Sequence, residues 1–295
     1  MSSNICANYG KEGTDVTNTC NKCKGVMYCN AACKKKHRHK HKKECERRVA
    51  ELHDERLFKQ PSQKEDCPIC FLQLPHLGTG QMYMACCGKV ICIGCIYAAE
   101  VSDKKKASLC PFCRTPDPFT DEQIVQRYKK RMEMNDDIAI CNIGIFHANG
   151  ELGLPRSMTK ALELWHRAGE LGHAGSYNNL GNAYYNGRGV ERDEKKAKHY
   201  YELAAMKGDV TARCNLGVDE MEAGNMDRAL KHWMIAVVGG NKKSLDNTRR
   251  LYLDGYATKD AYTNALQAYQ AYLDEIKSDQ RDKAVAYNDE WQYHD

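Results

Sequence analysis

The stretch AGSYNNLGNAYYNGRGVERDEKKAKHYYELAAMKGD (174–209) decides the fold of the larger part of this chain. It reads as a helix with small residues for close approach, a glycine-containing turn, and a second helix carrying Lys-Ala-x3-aromatic. Glycine at the turn permits positive φ. The same layout recurs. The alanine of each Lys/Arg/Asn-Ala pair falls at Ala161, Ala197, Ala229 and Ala265, and an aromatic follows four residues later at Trp165, Tyr201, Trp233 and Tyr269. Upstream, NIG (142–144) and NLG (179–181, 215–217) repeat in step, with Leu251, Tyr252 and Gly255 in the comparable part of a fourth copy. The third copy has a shorter turn, AGNMDRA (223–229). Self-similarity at this period predicts stacked helical pairs whose aromatics fill the space between neighbours. Residues 137–278 are thus expected to form an all-α solenoid of four repeats. The aromatic stripe is expected to be core rather than a ligand box, and Cys141 and Cys214 small buried core residues.

Outward from the repeats, the composition changes. Of sixteen cysteines in 295 residues, fourteen lie at or before Cys113. They form four Cys-x2-Cys pairs (20/23, 67/70, 92/95, 110/113) and one Cys-x3-Cys pair (29/33). Two thiolates at that spacing turn back onto one tetrahedral zinc at ~2.3 Å. A disulfide scaffold needs an oxidising compartment, which nothing in the sequence indicates. Charged residues are 28% and mean hydropathy is −0.69. No segment approaches the ~18 apolar residues of a membrane span, and the N-terminus lacks a secretory layout. Membrane and secreted classes are therefore excluded, and cytoplasm or nucleus is expected. No Ser/His/Asp arrangement, no phosphate-binding glycine loop and no methyltransferase domain is visible.

The first cluster runs Cys6, Cys20, Cys23, Tyr28-Cys29, Cys33, His41 and Cys45. Its spacing resembles the MYND zinc finger, a two-zinc module with interleaved ligands. The resemblance implies one site from Cys20, Cys23, His41 and Cys45. It implies a second from Cys6, Cys29 and Cys33, in which Tyr9 stands where the family has a fourth cysteine. Water or His37, one helical turn beyond Cys33, could fill that vacancy. The basic run KKKHRHKHKK (34–43) suits nucleic acid, but no aromatics are interleaved for base stacking, so a solvated finger surface is the preferred reading. As a family, MYND fingers imply binding of protein segments, often proline-containing peptides.

The second cluster is Cys67-Pro-Ile-Cys70, Cys86-Cys87-Gly-Lys, Cys92-x2-Cys95 and Cys110-Pro-Phe-Cys113-Arg114. It resembles the RING finger. The resemblance implies one zinc on Cys67, Cys70, Cys92 and Cys95, and a second on Cys110 and Cys113 with two ligands from the middle. Lys89 replaces a family histidine, so both Cys86 and Cys87 are expected to serve, with Gly88 bending the chain. RING ubiquitin ligases contact a ubiquitin-conjugating enzyme through an apolar residue in the first knuckle, a proline in the last, and a basic residue after the final cysteine. Here those positions are Ile69, Pro111 and Arg114. The tryptophan often found between the sixth and seventh ligands is absent from 96–109.

The repeats resemble the Sel-one-like repeat, a relative of the tetratricopeptide repeat, which implies a scaffold for protein partners. The expected fold is two small zinc-stabilised modules followed by an all-α helical-repeat solenoid. Its layout is a tail (1–5), the MYND-like finger (6–45), a short charged helical linker stopping at Pro61 (46–64), the RING-like finger (65–118), a linker helix (119–136), the repeats (137–278) and a C-terminal capping helix or tail (279–295). Three to four zinc ions are expected. The expected function is a RING-type ubiquitin ligase without its own nucleophile, whose other modules recruit protein or peptide partners. A non-catalytic adaptor is the alternative, and a nucleic-acid-binding regulator ranks last.

Overall fold

The computed structural model describes residues 6–8, 18–28, 30–60, 65–76, 80–102 and 108–292. Tyr9 and Cys29 lie outside them. The chain divides into two compact units, Met1–Lys59 and Gln60–Asp295.

In the first unit a two-residue antiparallel ladder joins β1 (Asn18–Thr19) to β2 (Met27–Tyr28) and is followed by α1 (Ala31–Leu57). The Asn30 side chain caps α1 by accepting from Cys33 N at 2.9 Å. The finger's last ligands and the charged linker share one continuous helix. No glycine or proline interrupts 31–57, and ion pairs Arg47–Glu51 and Arg48–Glu51 at helical spacing support the junction. Cys33, His41, Cys45 and Leu57 are its buried face.

The second unit opens with the cysteine-rich module. Strands β3 (Gln81–Met84) and β4 (Lys89–Cys92) pair antiparallel, Gln81 opposite Cys92 and Met84 opposite Lys89, and β4 runs directly into α2 (Ile93–Ser102). Helix α3 (Asp121–Glu133) leads to four helical hairpins: α4 (Asp137–Asn149) with α5 (Met158–Leu171), α6 (Ala174–Asn186) with α7 (Glu194–Met206), α8 (Val210–Glu222) with α9 (Met226–Val238), and α10 (Lys242–Leu253) with α11 (Lys259–Ile276). The aromatic stripe is interior, as expected: Trp165, Tyr201, Trp233 and Tyr269 are all buried, as are Cys141 and Cys214.

The recurring helical glycine exists for that stripe. A side chain at Gly144 would meet the Trp165 indole, one at Gly181 the Tyr201 ring, and one at Gly217 the Trp233 indole. Trp233 also donates Nε1–H to the Cys214 carbonyl at 3.1 Å, which fixes the ring against the glycine. Alanine is a better helix former than glycine by roughly 1 kcal/mol, yet Gly217→Ala forces the indole out of a closed slot. The expected net result is a loss of ~1–3 kcal/mol, read as a lower denaturation midpoint.

The first helix of each hairpin starts with a side-chain cap: Asp136, His173, Asp209 and Asn241 accept from the N–H three residues on. His173 is unusual because it caps through Nδ1, which also lies 2.9 Å from the Ser176 hydroxyl. Burial lowers its pKa below the ordinary 6.5, against opposing pull from Asp137, Asp136 and Glu65. The unfolded chain therefore takes up this proton first, so stability falls as pH drops below 6.5 and levels off only below the folded pKa. Asparagine caps without titrating. His173→Asn should flatten this component of the pH dependence in urea titrations between about pH 7 and about pH 5.

The cysteine-rich module bridges the two ends of the helical array. At the first end, Tyr83 Oη donates to Asp136 Oδ2 at 2.9 Å, Arg131 holds the same oxygen at 2.6 Å, and Tyr83 packs on Tyr128. At the other end, His76 N donates to Tyr272 Oη at 3.1 Å, and Ile93 packs with Tyr272, Ile276 and Ala284. The C-terminal stretch, expected to be a capping helix or tail, contains α12 (Asp279–Tyr287), docked on α2 with Arg281 and Ala284 fully buried. Its partner is the module some 190 residues upstream (Tyr97 against Tyr287 at 5.3 Å), so nothing in its own polar pattern reveals the buried face.

Candidate metal centres

Three groups of four side chains converge, each with its ligand atoms within 4.8 Å of one another: Cys20, Cys23, His41 and Cys45; Cys67, Cys70, Cys92 and Cys95; Cys86, Cys87, Cys110 and Cys113. The backbone explains the convergence. In each knuckle the residue after the second cysteine donates its N–H to the first cysteine's carbonyl: Lys24 to Cys20 at 3.0 Å, Phe71 to Cys67 at 2.9 Å, Arg114 to Cys110 at 2.9 Å. The first cysteine's N–H is taken by Val26, Leu72 and Thr115 respectively. Lys24, Phe71 and Arg114 all adopt left-handed φ, between 55° and 63°. None is glycine, so sequence reasoning had no glycine signal by which to find these turns.

The remaining ligand atoms come from regular structure. The face of α1 supplies His41 and Cys45, one helical turn apart. The end of β4 and the first turn of α2 supply Cys92 and Cys95. The turn between β3 and β4 supplies Cys86 and Cys87. There Cys87 N and Gly88 N both donate to Met84 O, and Gly88 sits at φ 70°. A side chain at position 88 would also strike the Arg131 guanidinium.

Sulfur separations fit a zinc ion. Tetrahedral coordination with ~2.3 Å Zn–S bonds places sulfurs roughly 3.8 Å apart. The observed pairs are Cys20–Cys45 3.7 Å, Cys67–Cys95 3.8 Å, Cys70–Cys92 3.7 Å, Cys87–Cys110 4.0 Å and Cys86–Cys113 3.4 Å, with Cys23 Sγ 3.2 Å from His41 Nε2.

Protonation follows the same logic. Burial resists ionisation of Cys20, but backbone N–H groups of Cys23 and Lys22 and the His41 side chain outweigh it and hold the thiol down to about 6. Burial, reinforced by its bonds to Cys20 and Cys23, pushes Cys45 up to about 11. Hydrogen bonds from Cys92 and Cys95 hold Cys67 far below the thiol range, and the Cys67 bond pushes Cys95 up. Burial likewise opposes Cys113, yet the Thr115 hydroxyl and N–H and the Cys86 side chain bring it to about 6, while burial and Cys113 raise Cys86. In each cluster one sulfur takes the charge while a neighbour keeps its proton. A divalent cation replaces those protons.

Of the set Cys6, Cys29, Cys33 and Tyr9, only Cys6 and Cys33 are described, both buried in one cluster with Tyr28. His37 Nδ1 lies 3.3 Å from Tyr28 Oη and its ring stacks on His41. Among the described residues His37 belongs to no converging ligand group. At the knuckle tips Ile69 (37% exposed), Phe71 (77%) and Phe112 (43%) face solvent, and Arg114 is exposed beside them in sequence.

A family model of the MYND finger matches residues 5–45, and one of the Sel1 repeat matches 137–173 and 174–209. The chain carries a MYND finger and Sel1 repeats. Its MYND finger and cysteine clusters fit zinc binding, and finger and repeats together fit protein–protein interaction. Among curated proteins, the ERAD-associated E3 ubiquitin-protein ligase component HRD3B of Arabidopsis thaliana is 30% identical over 113 residues, 38% of this chain and 18% of that protein. The E3 ubiquitin-protein ligase GW2 of Oryza sativa subsp. indica is 34% identical over 67 residues, 23% of this chain and 15% of that protein. The E3 ubiquitin-protein ligase DA2 of Arabidopsis thaliana is 40% identical over 52 residues, 18% of this chain and 12% of that protein. The chain thus matches 12–18% of the length of these relatives. A solved Sel1 repeat protein from Oxalobacter formigenes superposes with TM-score 0.44 at 24% identity, covering 62% of this chain and 69% of that one. Among the described residues no helix is long and apolar enough to cross a membrane.

The turn geometry makes a direct expectation. With both adjacent cysteines aimed into the cluster, Cys86→Ser and Cys87→Ser should each lower the zinc content of the purified chain by one ion or strongly speed loss of that ion to a chelator. A normal, chelator-resistant count in either variant excludes that cysteine as a ligand.

Proposed function

We propose that this chain is a zinc-loaded ubiquitin ligase of the RING type, in which residues 65–118 dock a ubiquitin-conjugating enzyme while the MYND finger and the Sel1 repeats bind protein partners or substrate. The zinc ions act as cross-links: one on Cys20, Cys23, His41 and Cys45, one on Cys67, Cys70, Cys92 and Cys95, one on Cys86, Cys87, Cys110 and Cys113, and a fourth on Cys6, Cys29 and Cys33 if another donor completes it. The observation that carries the reading is the pair of solvent-facing knuckle tips. The first cysteine of each knuckle, Cys67 and Cys110, is buried, while Ile69 and Phe112 are exposed, beside Pro111 and the exposed Arg114, on turns held rigid by paired backbone bonds. Exposed apolar side chains on a rigid base are the ordinary make-up of an interface hot spot. The similarity to GW2 and DA2, both named as ubiquitin-protein ligases, supports the same assignment.

Such a ligase needs no nucleophile. It lowers the barrier by holding the partner enzyme's thioester open to attack, through positioning and electrostatics. Arg114, fixed by its left-handed backbone and its N–H bond to Cys110, offers the charge for that task. The adaptor reading remains the second one, because the tryptophan often found between the sixth and seventh RING ligands is missing from 96–109.

Autoubiquitination with a panel of conjugating enzymes separates the two. A ligase forms chains with at least one enzyme, and Ile69→Ala or Arg114→Ala reduces the rate by about tenfold or more, as for loss of an interface hot spot. Zinc-loaded, folded wild type that is inert with every enzyme is an adaptor.

A further inference from the structure

The second and third hairpins meet differently from their neighbours. In the second hairpin the turn 187–193 separates α6 from α7, whereas in the third only 223–225 separate α8 from α9. The longer turn packs back on the hairpin before it: a Cβ at Gly189 would strike Met158 and lie 3.6 Å from Leu162 Cδ1, and Val190 packs against the same core. The fourth hairpin does likewise, its turn residue Ala257 sharing an apolar cluster with Met226 and Leu230 of α9. Met158 and Met226 stand three residues before the repeat alanine, and Leu162 and Leu230 one after it. On α7 those places are held by Glu194 and Lys198. The short third turn leaves this seat as a cleft of about 370 Å³, whose lining includes Tyr185, Glu194, Lys195, Lys198, Asp219 and Glu222. That is within the roughly 300–1,000 Å³ of ligand-binding clefts.

Asp219 is the residue out of place there. Ten positions past the side-chain cap of each hairpin stand Phe146, Ala183, Asp219 and Leu251, and Ala183 and Leu251 are buried core. The half-buried Asp219 carboxylate makes no hydrogen bond or ion pair among the described residues. Burial pushes its pKa up to about 6, with Lys198 pulling it down and Glu222, Glu220 and Glu194 adding to the rise. Lys198 is committed to Glu220 and Arg192 to Glu194, each at 2.8 Å. Asp219 and Glu222 then stand against Lys195 alone, and the lining is net negative. Withdrawing a carboxylate from water without a partner costs free energy, which an incoming cation restores. Tyr185 adds a second element: the Arg192 guanidinium lies 5.6 Å from its ring centroid, so this wall of the cleft already receives an arginine.

We infer that the cleft between the second and third hairpins seats a lysine or arginine side chain of a partner protein segment, with Asp219 as the carboxylate that receives it. The inference rests on reading the repeats as a partner-binding surface and names where on that surface the partner is held. The incoming segment occupies the place vacated by the shortened turn. Its cation bonds to Asp219 with Glu222 close by, and its aliphatic stem covers Tyr185. The neighbouring junctions offer no such seat, because their own turns fill it.

The test pans a random peptide library displayed on phage against the full-length, zinc-loaded chain, after depletion on Asp219→Asn, with helix content of both proteins checked by circular dichroism. Peptides that survive depletion should share a lysine or arginine at one position. Made as fluorescein-labelled synthetic peptides, they should lose about tenfold or more in affinity when that residue becomes norleucine or citrulline. Asp219→Asn should cost about as much, as for loss of a charge-assisted hydrogen bond, and both changes together little more than either alone. Survivors without a shared basic residue overturn the inference. So do peptides that bind wild type and Asp219→Asn alike, although these leave the partner-binding reading standing. A second measurement covers a variant that fails to fold. In wild type, basic peptides selected on wild type alone should slow amide hydrogen exchange across 194–198 and 219–223, and protection confined to other segments overturns the inference as well. Wild type that retains no peptide at all refutes the reading of the repeats as a partner-binding surface instead, a result distinct from either.

Discussion

Four sulfurs held within 4.8 Å of one another cannot all ionise without a cation between them, and the remainder of this protein is arranged around that constraint. Thiols this close repel one another when charged, so they hold protons until a divalent cation takes the protons' place. The apolar material beside the clusters is sparse. Around Cys67, Cys92 and Cys95 the buried hydrophobic side chains are Leu74, Ile91 and Ile96, too few to hold a module of this size, which is the situation in which small domains depend on metal.

What distinguishes this molecule is where the cysteine-rich module sits. Helical arrays ordinarily end in solvent and require capping. Here β3 and its following turn rest on α3 through Tyr83, Arg131 and Asp136, while α2 receives α12 and α11 through Ile93, Tyr97 and Tyr272. The module therefore serves as a common support for both ends of the array. Within the array the logic is local: a glycine on one helix admits the indole or phenol of the next, and side-chain caps start each hairpin. The knuckle tips stay outside both sets of contacts, free for a partner.

Much of this is written in short-range patterns. Ligand spacing is set by the reach of a turn, so Cys67-x2-Cys70 or His41-x3-Cys45 announces convergence without knowledge of the rest of the chain. The Gly181–Tyr201 and Gly217–Trp233 pairs are likewise visible, because the period that brings them together is recorded in the sequence. Contacts that join distant segments are not. The residues of α12 that become buried, Arg281 and Ala284, lie in a run of charged neighbours that looks solvent-exposed, and only the surface of α2 makes them interior. That finger and linker share the unbroken α1 is hidden for a related reason: ligand pattern and charge pattern change at residue 46 although the backbone does not. The left-handed residues Lys24, Phe71 and Arg114 bear side chains that do not advertise the conformation. They adopt it because the knuckle's paired hydrogen bonds impose it.

The most direct measurement is the mass of the intact chain, purified under reducing conditions and sprayed from a non-denaturing buffer. At least three zinc ions per molecule are expected, held cooperatively with the compact charge-state distribution, and an expanded distribution once a chelator removes them. A compact, folded chain whose mass equals that of the polypeptide alone would contradict it.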